Sequence, residues 1–91
     1  MCGVTMKLKL HIVQGRHNVV HRILLSIDDE QPILTKITPR DLGGLAKAGF
    51  SSMEVANATK ELIERGATVL EGADLDENYV RQFFAEAVCT G

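Results

Sequence analysis

Apolar and polar residues alternate over the first strand-like segment of the chain. In residues 4–13, "VTMKLKLHIV", every second residue from Val4 to Ile12 is apolar. This period of two predicts a strand with one buried face. Residues 19–27, "VVHRILLSI", are β-branched and apolar enough to predict a second strand. The intervening "GRHN" is turn material, because Gly15 and Asn18 tolerate positive φ.

The pattern also predicts how these two strands pair. If Gly15 lies opposite Asn18, then Leu8 faces Leu25 and one side of the hairpin is apolar nearly throughout. A slip by one residue would move every apolar side chain to the other side, so the sequence specifies the faces of the hairpin.

A third strand is predicted after the turn-like "DDEQP", over residues 33–37. Pairing it with the second strand places Ile33 and Ile37 on the buried face. Leu34 and Lys36 then point outward.

The chain becomes helical at residue 38. Thr38 and the proline after it are typical of an N-cap and a first helical position, and Gly49 ends the segment. Gly43 and Gly44 each weaken a helix by about 1 kcal/mol. We therefore expect a short or irregular first helix.

Two further helices and one more strand complete the pattern. Ser51 and Glu54 form a capping box that begins the second helix, whose apolar stripe is Val55, Ala58, Leu62 and Ile63, and Gly66 ends it. Residues 67–72 predict a short strand. Asp74, followed three residues later by Glu77, predicts the start of a third helix.

The predicted order of elements is β-β-β-α-α-β-α. It favours a two-layer α+β fold, in which helices cover one face of a small antiparallel sheet. The length indicates one domain, residues 1–91.

Length and composition indicate a small cytoplasmic protein. A domain of 91 residues has a limited core, and pairing with a second copy is a common remedy. No apolar run approaches the roughly 20 residues of a membrane helix. Lys7 and Lys9 interrupt the segment that a signal peptide would keep apolar. In that compartment, Cys2 and Cys89 are expected to be free thiols.

Three histidines raise the question of a metal site. His11 lies in the first strand, and His17 and His21 lie four apart around the predicted turn. At about 3.3 Å per residue, positions 17 and 21 of a strand would lie roughly 13 Å apart. No single ion bridges that distance, so we expect structural histidines and no metal site.

No motif predicts an enzyme or a cofactor site. The chain has no Cys-His or Ser-His-Asp set at useful spacing, and turns or helix starts explain the carboxylate pairs Asp28–Asp29 and Asp74–Asp76. "GLAKAGFS" has the glycine spacing of a P-loop, but it lacks the Lys-Ser/Thr pair after the second glycine. We expect no catalytic residues and no cofactor.

The outward face of the sheet is the candidate binding site. Residues 1–40 carry six basic and three acidic residues, whereas residues 41–91 carry four basic and nine acidic residues. Alternation gathers the basic side chains of the first part on one face, where we expect no strand acid to offset them. The candidate binding residues are Lys7, Lys9, His11, Arg22, Leu24, Leu34 and Lys36.

Residues 41–60 resemble a helix-turn-helix around "AGFSSMEV". The second helix of this segment carries Glu54, Glu61 and Glu64 against Lys60 and Arg65. An acidic reading helix would be repelled by phosphates, which favours a plain helical hairpin.

Two functions remain open. The first is a non-enzymatic interaction or adaptor module that binds itself as a homodimer, or another protein, through the mixed basic and apolar face. The alternative is a nucleic-acid-binding regulator that contacts phosphates through Lys7, Lys9, Arg22 and Lys36. It is disfavoured because this face has no aromatic residues on which bases could stack.

Overall fold

The computed structural model describes residues 3–13 and 22–88. The elements in chain order are β1 (Val4–Val13), β2 (Arg22–Ile27), β3 (Ile33–Thr35), a 3₁₀ helix (Pro39–Ala48), α1 (Ser52–Arg65), β4 (Ala67–Leu75) and α2 (Glu77–Ala85). The strands form one antiparallel sheet in the order β3-β2-β1-β4. The predicted α+β class and element order are confirmed.

The core lies between the sheet and the helices. Alternate residues of β1 and β2 point into it, and the helices contribute the opposing apolar side chains. The side chains that are 0% exposed are Leu8, Ile23, Leu25, Thr35, Leu42, Leu45, Leu62 and Val80. The helices cover one face of the sheet, which gives the two layers that the sequence predicts.

The register of the first hairpin differs from the prediction by two residues. Leu8 pairs with Ile27, not with Leu25. The faces are nevertheless as predicted, because a period of two cannot distinguish registers that differ by two. Asp28 extends the observed register: its N–H donates to the carbonyl of Lys7 at 2.8 Å. The predicted turn at Gly15–Asn18 lies outside the described residues.

The third strand is shorter than predicted, and its burial differs. It covers Ile33–Thr35, and Ile33, predicted to be buried, is 37% exposed. Thr35, on the same face, is fully buried, and its hydroxyl donates to the carbonyl of Ile23 at 2.9 Å. That bond satisfies the buried hydroxyl. Ile37 is buried as predicted, although it lies beyond the strand.

The first helix is irregular, as expected, and forms a 3₁₀ helix. Thr38 precedes it as N-cap, and its N–H donates to the Asp41 carboxylate at 2.9 Å. Gly49 ends it with φ of 122°. Gly44 permits a close crossing with α2, because a Cβ there would lie 2.8 Å from the ring of Phe83.

N-cap side chains mark where the two α-helices begin. The amide of Glu54 donates to Ser51 Oγ at 3.1 Å, which confirms the predicted start of α1. The third helix begins two residues later than predicted, because its N-cap is Asp76 and not Asp74. β4 continues to Leu75, whose side chain is 1% exposed, and this burial extends the strand beyond the predicted residues 67–72.

Within residues 3–13 and 22–88, no helix is long and apolar enough to span a membrane.

Candidate functional site

One face of the sheet points away from the helices, and we call it the open face. Antiparallel pairing sets its residues in rows across the strands: His11 lies beside Leu24, and Leu24 beside Leu34. The open face comprises Lys7, Lys9, His11, Val13, Arg22, Leu24, Ser26, Leu34, Ala67, Val69 and Glu71. Six of the seven predicted binding residues therefore share one surface. The seventh, Lys36, is exposed one position beyond the end of β3.

The centre of the open face is apolar. Leu24 and Leu34 are half-buried neighbours, and Val69 is 50% exposed. An open depression of about 590 Å³ lies over this region, lined in part by His11 and Pro32. Sequence reasoning missed Val69, because nothing in the alternation of β4 indicates that this strand lies beside β1.

The expectation that no strand acid offsets the basic residues is wrong. Glu71, in β4, lies directly opposite Lys7. Lys9 Nζ lies 2.5 Å from Asp29 Oδ1, in the turn after β2. The hydrogen bond from Lys9, followed by its positive charge, lowers the pKa of the Asp29 carboxyl. Two of the predicted phosphate-binding lysines therefore already have acidic neighbours.

Charge is distributed unevenly along the strands. Asp28, Asp29 and Glu71 lie around Lys7 and Lys9 at one end of the open face, which we call the acidic end. At the opposite end Ile23 pairs with Thr35, so Arg22 and Lys36 are the next residues of neighbouring strands. Neither Arg22 nor Lys36 makes an ion pair with any residue that the structure describes. We call this pair of cations the basic end.

The three histidines were the candidates for a metal site. His11 is exposed on the open face between Leu24 and Ala67. His17 and His21 lie outside the described residues, as do Cys2 and Cys89. Within the described ranges, no three His, Cys, Asp or Glu residues are grouped so that they could hold a metal ion.

Residues 41–60 form a 3₁₀ helix followed by α1. The first part therefore differs from the α-helix that a helix-turn-helix uses. Glu54 and Glu64 are exposed on α1, and phosphates would be repelled by them.

A bidentate ion pair fixes the turn beside the acidic end. Arg81 Nη1 and Nη2 lie 3.2 and 3.0 Å from the two carboxylate oxygens of Glu30, and Arg81 Nε donates to Glu77 at 2.8 Å. These bonds lower the pKa of Glu30 and raise that of Arg81. Arg81 and Glu30 are separated by 51 positions in the sequence, so no local pattern predicts this contact.

Replacing Arg81 with glutamine should raise the pKa of the Glu30 carboxyl toward its ordinary value of 4.5. In the intact protein the folded-state pKa lies below the unfolded-state value. The pair therefore stabilises the fold above the unfolded-state pKa, and this contribution is lost as pH falls through the folded-state pKa. NMR titration of the carboxyl signals measures the pKa of Glu30 in the wild-type protein and in Arg81→Gln. Lys9→Gln is the matched control, because it should raise the pKa of Asp29 and leave Glu30 unchanged. An unchanged Glu30 titration in Arg81→Gln would contradict the bidentate pair.

Comparisons of the chain with protein-family models, with curated proteins and with solved structures gave no match.

Proposed function

We propose that this protein is a non-enzymatic cytoplasmic interaction module that forms a homodimer through its open face. The observation that carries the proposal is the apolar centre around Leu24, Leu34 and Val69, on the side of the sheet opposite the helices. Sheets of this kind pack face to face at about 10 Å, with their side chains interdigitating.

The charges of the open face support a second copy as the occupant. Consider two copies whose open faces are in contact, related by a two-fold axis that lies between the two sheets and runs perpendicular to the strands. The strands of one copy then run opposite to those of the other. Each acidic end then lies over the basic end of the other copy. Asp28 and Asp29, which follow the far end of β2, would face the region of Arg22 and Lys36, and the apolar centres would meet in the middle. Such isologous, self-complementary pairing is the usual form of a homodimer.

The size of the chain also supports a dimer. A chain of 91 residues can bury only a small hydrophobic core by itself. Burying the open face would add to that core without adding chain length.

Nucleic acid is the weaker candidate for the same face. Arg22 and Lys36 could contact phosphates, but Lys7 and Lys9 lie beside Glu71 and Asp29. All four aromatic residues of the chain lie elsewhere, at Phe50, Tyr79, Phe83 and Phe84. Base stacking, on which RNA-binding sheets rely, would have no platform on the described part of this face.

We expect sedimentation to give a dimer at tens of micromolar, and Leu24→Lys to weaken that dimer at least about tenfold, which corresponds to about 1.4 kcal/mol. A lysine there would place an unpaired charge in the apolar centre of the interface. Ile63→Lys is the matched control, because Ile63 is 63% exposed on α1 and lies off the open face.

A monomeric wild-type protein at these concentrations would refute the homodimer. Binding to a nucleic-acid probe that weakens steeply with salt, and that Lys36→Gln reduces, would support the alternative function.

A further inference from the structure

The two edge strands of the sheet differ in whether another segment of the described chain covers them. At the β3 edge, the amide of Lys36 donates to the carbonyl of Ala87 at 2.7 Å, and Thr35 forms a bridge with Val88. The segment after α2 therefore covers that edge. The β4 edge extends over Ala67–Leu75, and no strand of the described chain pairs with its outer side. An uncovered edge of this length is a template for pairing with another chain.

The hydrogen-bond pattern identifies which backbone groups face outward. The amide of Ile12 donates to the carbonyl of Gly66 at 2.8 Å. Because hydrogen-bonded and non-hydrogen-bonded pairs alternate in an antiparallel ladder, Thr68 and Leu70 direct their backbone groups at β1. Val69 and Glu71 direct theirs away from it. The described residues offer neither of these two amides or carbonyls a hydrogen-bond partner.

A groove lies beside this edge, between β4 and α1. It has a volume of about 330 Å³ and is lined on the helix side by Glu54, Asn57, Ala58 and Glu61, and on the strand side by Thr68–Glu71. A strand added to β4 would place alternate side chains in this groove and the others beside Val69.

The lining of the groove is acidic. Glu61 is partly engaged, since Thr68 Oγ1 donates to it at 2.6 Å and Arg65 lies 3.7 Å away. Among the described residues, the Glu54 carboxylate accepts a hydrogen bond only from the amide of Ser51, at 3.3 Å, so it is available to a basic partner. A second copy pairing through β4 would bring a second row of these glutamates against the first. A basic segment would be attracted instead.

We propose that β4 accepts an extended basic segment of a partner protein as a fifth strand. The outward backbone groups of Val69 and Glu71 bind its main chain, and the groove carboxylates Glu54 and Glu61 select lysine or arginine at alternate positions. This site does not depend on the proposed dimer, which uses Leu24 on the open face.

The probe is a fluorescein-labelled peptide, acetyl-Thr-Lys-Val-Lys-Val-Lys-Thr-amide. We expect saturable binding by fluorescence anisotropy, and slower hydrogen exchange of the Val69 and Glu71 amides in the bound protein. The amides of Thr68 and Leu70 should already exchange slowly without peptide. N-methylation of the peptide at the residues that face β4 should weaken binding at least about tenfold, because it removes backbone donors.

Charge is tested separately from folding. Glu54→Gln combined with Glu61→Gln should weaken binding about fivefold, because both carboxylates line the helix side of the groove. Glutamine at position 54 retains the capping box. The Leu24→Lys protein should bind the peptide as the wild type does, so failure of the dimer and failure of this site are distinguishable. Equal binding of the N-methylated peptide, unchanged amide exchange, or equal binding of a peptide with glutamate in place of lysine would each overturn the proposal.

Discussion

Replacing Leu25 with aspartate should leave the protein unfolded, whereas the same change at the neighbouring Leu24 should leave it folded. Leu25 is 0% exposed and pairs with Leu10 inside the core. A carboxylate without a partner there costs several kcal/mol, and a domain has only about 5–15 kcal/mol of total stability. Leu24 points to the open face, where water can reach a carboxylate. The two variants differ only in which side of β2 carries the charge.

Circular dichroism and the dispersion of amide NMR signals distinguish the two outcomes. We expect native-like spectra from Leu24→Asp and the spectra of an unfolded chain from Leu25→Asp. The reverse result would mean that β2 presents the opposite face to the helices, which requires a register shift by one residue.

Replacing Leu62 with alanine should lower the free energy of unfolding by about 2–5 kcal/mol, because the change leaves a cavity in the core. Leu62 is 0% exposed. Ile63, the next residue of α1, is 63% exposed, and its replacement by alanine should change stability by no more than about 0.5 kcal/mol. The pair is matched in helix, sequence position and side-chain size.

Urea denaturation measures both changes on one scale. If the free energy of unfolding falls with urea concentration at the same slope in both variants, the variants differ in stability and not in the surface exposed on unfolding. Comparable losses in the two variants would mean that α1 is rotated about its axis, so that Ile63 also faces the core. Ile63 would then belong to the apolar stripe, as its spacing in the sequence suggests.

The faces of the strands could be predicted from the sequence, but the pairing of the strands could not. Alternation in β1 and β2 distinguishes core from surface, since a strand repeats every two residues. That same repeat leaves a two-residue shift undetected. At β3 the predicted face is correct, since Ile33 pairs with the buried Leu25, but the extent of burial is not. Ile33, the first residue of the strand, is 37% exposed, whereas Thr35 is buried and its hydroxyl donates to the carbonyl of Ile23.

Helix boundaries followed from capping chemistry where one candidate cap was present. Ser51 and Glu54 mark the start of α1, and Gly66 marks its end with φ of 79°. Asp74 and Asp76 are both suitable N-caps by residue type. The burial of Leu75 between them decides in favour of Asp76, and burial is a property of the folded chain.

The candidate site was predictable only in part. Residues in β1 and β2 that share a face follow from local alternation. Val69 and Glu71 join that face through pairing between β1 and β4, and Lys9 reaches Asp29 through the bend of a turn with φ of 63°. Each of these contacts joins segments whose proximity no local pattern encodes.

The central position of β1 has a consequence for the order in which the chain folds. Lys9 lies opposite Ser26 on one side and Val69 on the other, so one pairing closes a short loop and the other a loop of sixty positions. Closing the longer loop costs more chain entropy, and a two-stranded hairpin alone is at best marginally stable in water. We therefore expect the hairpin of β1 and β2 to be stable only once β4 has paired with β1. The large sequence separation of the β1–β4 pairing predicts slower folding than that of a helical protein of the same length.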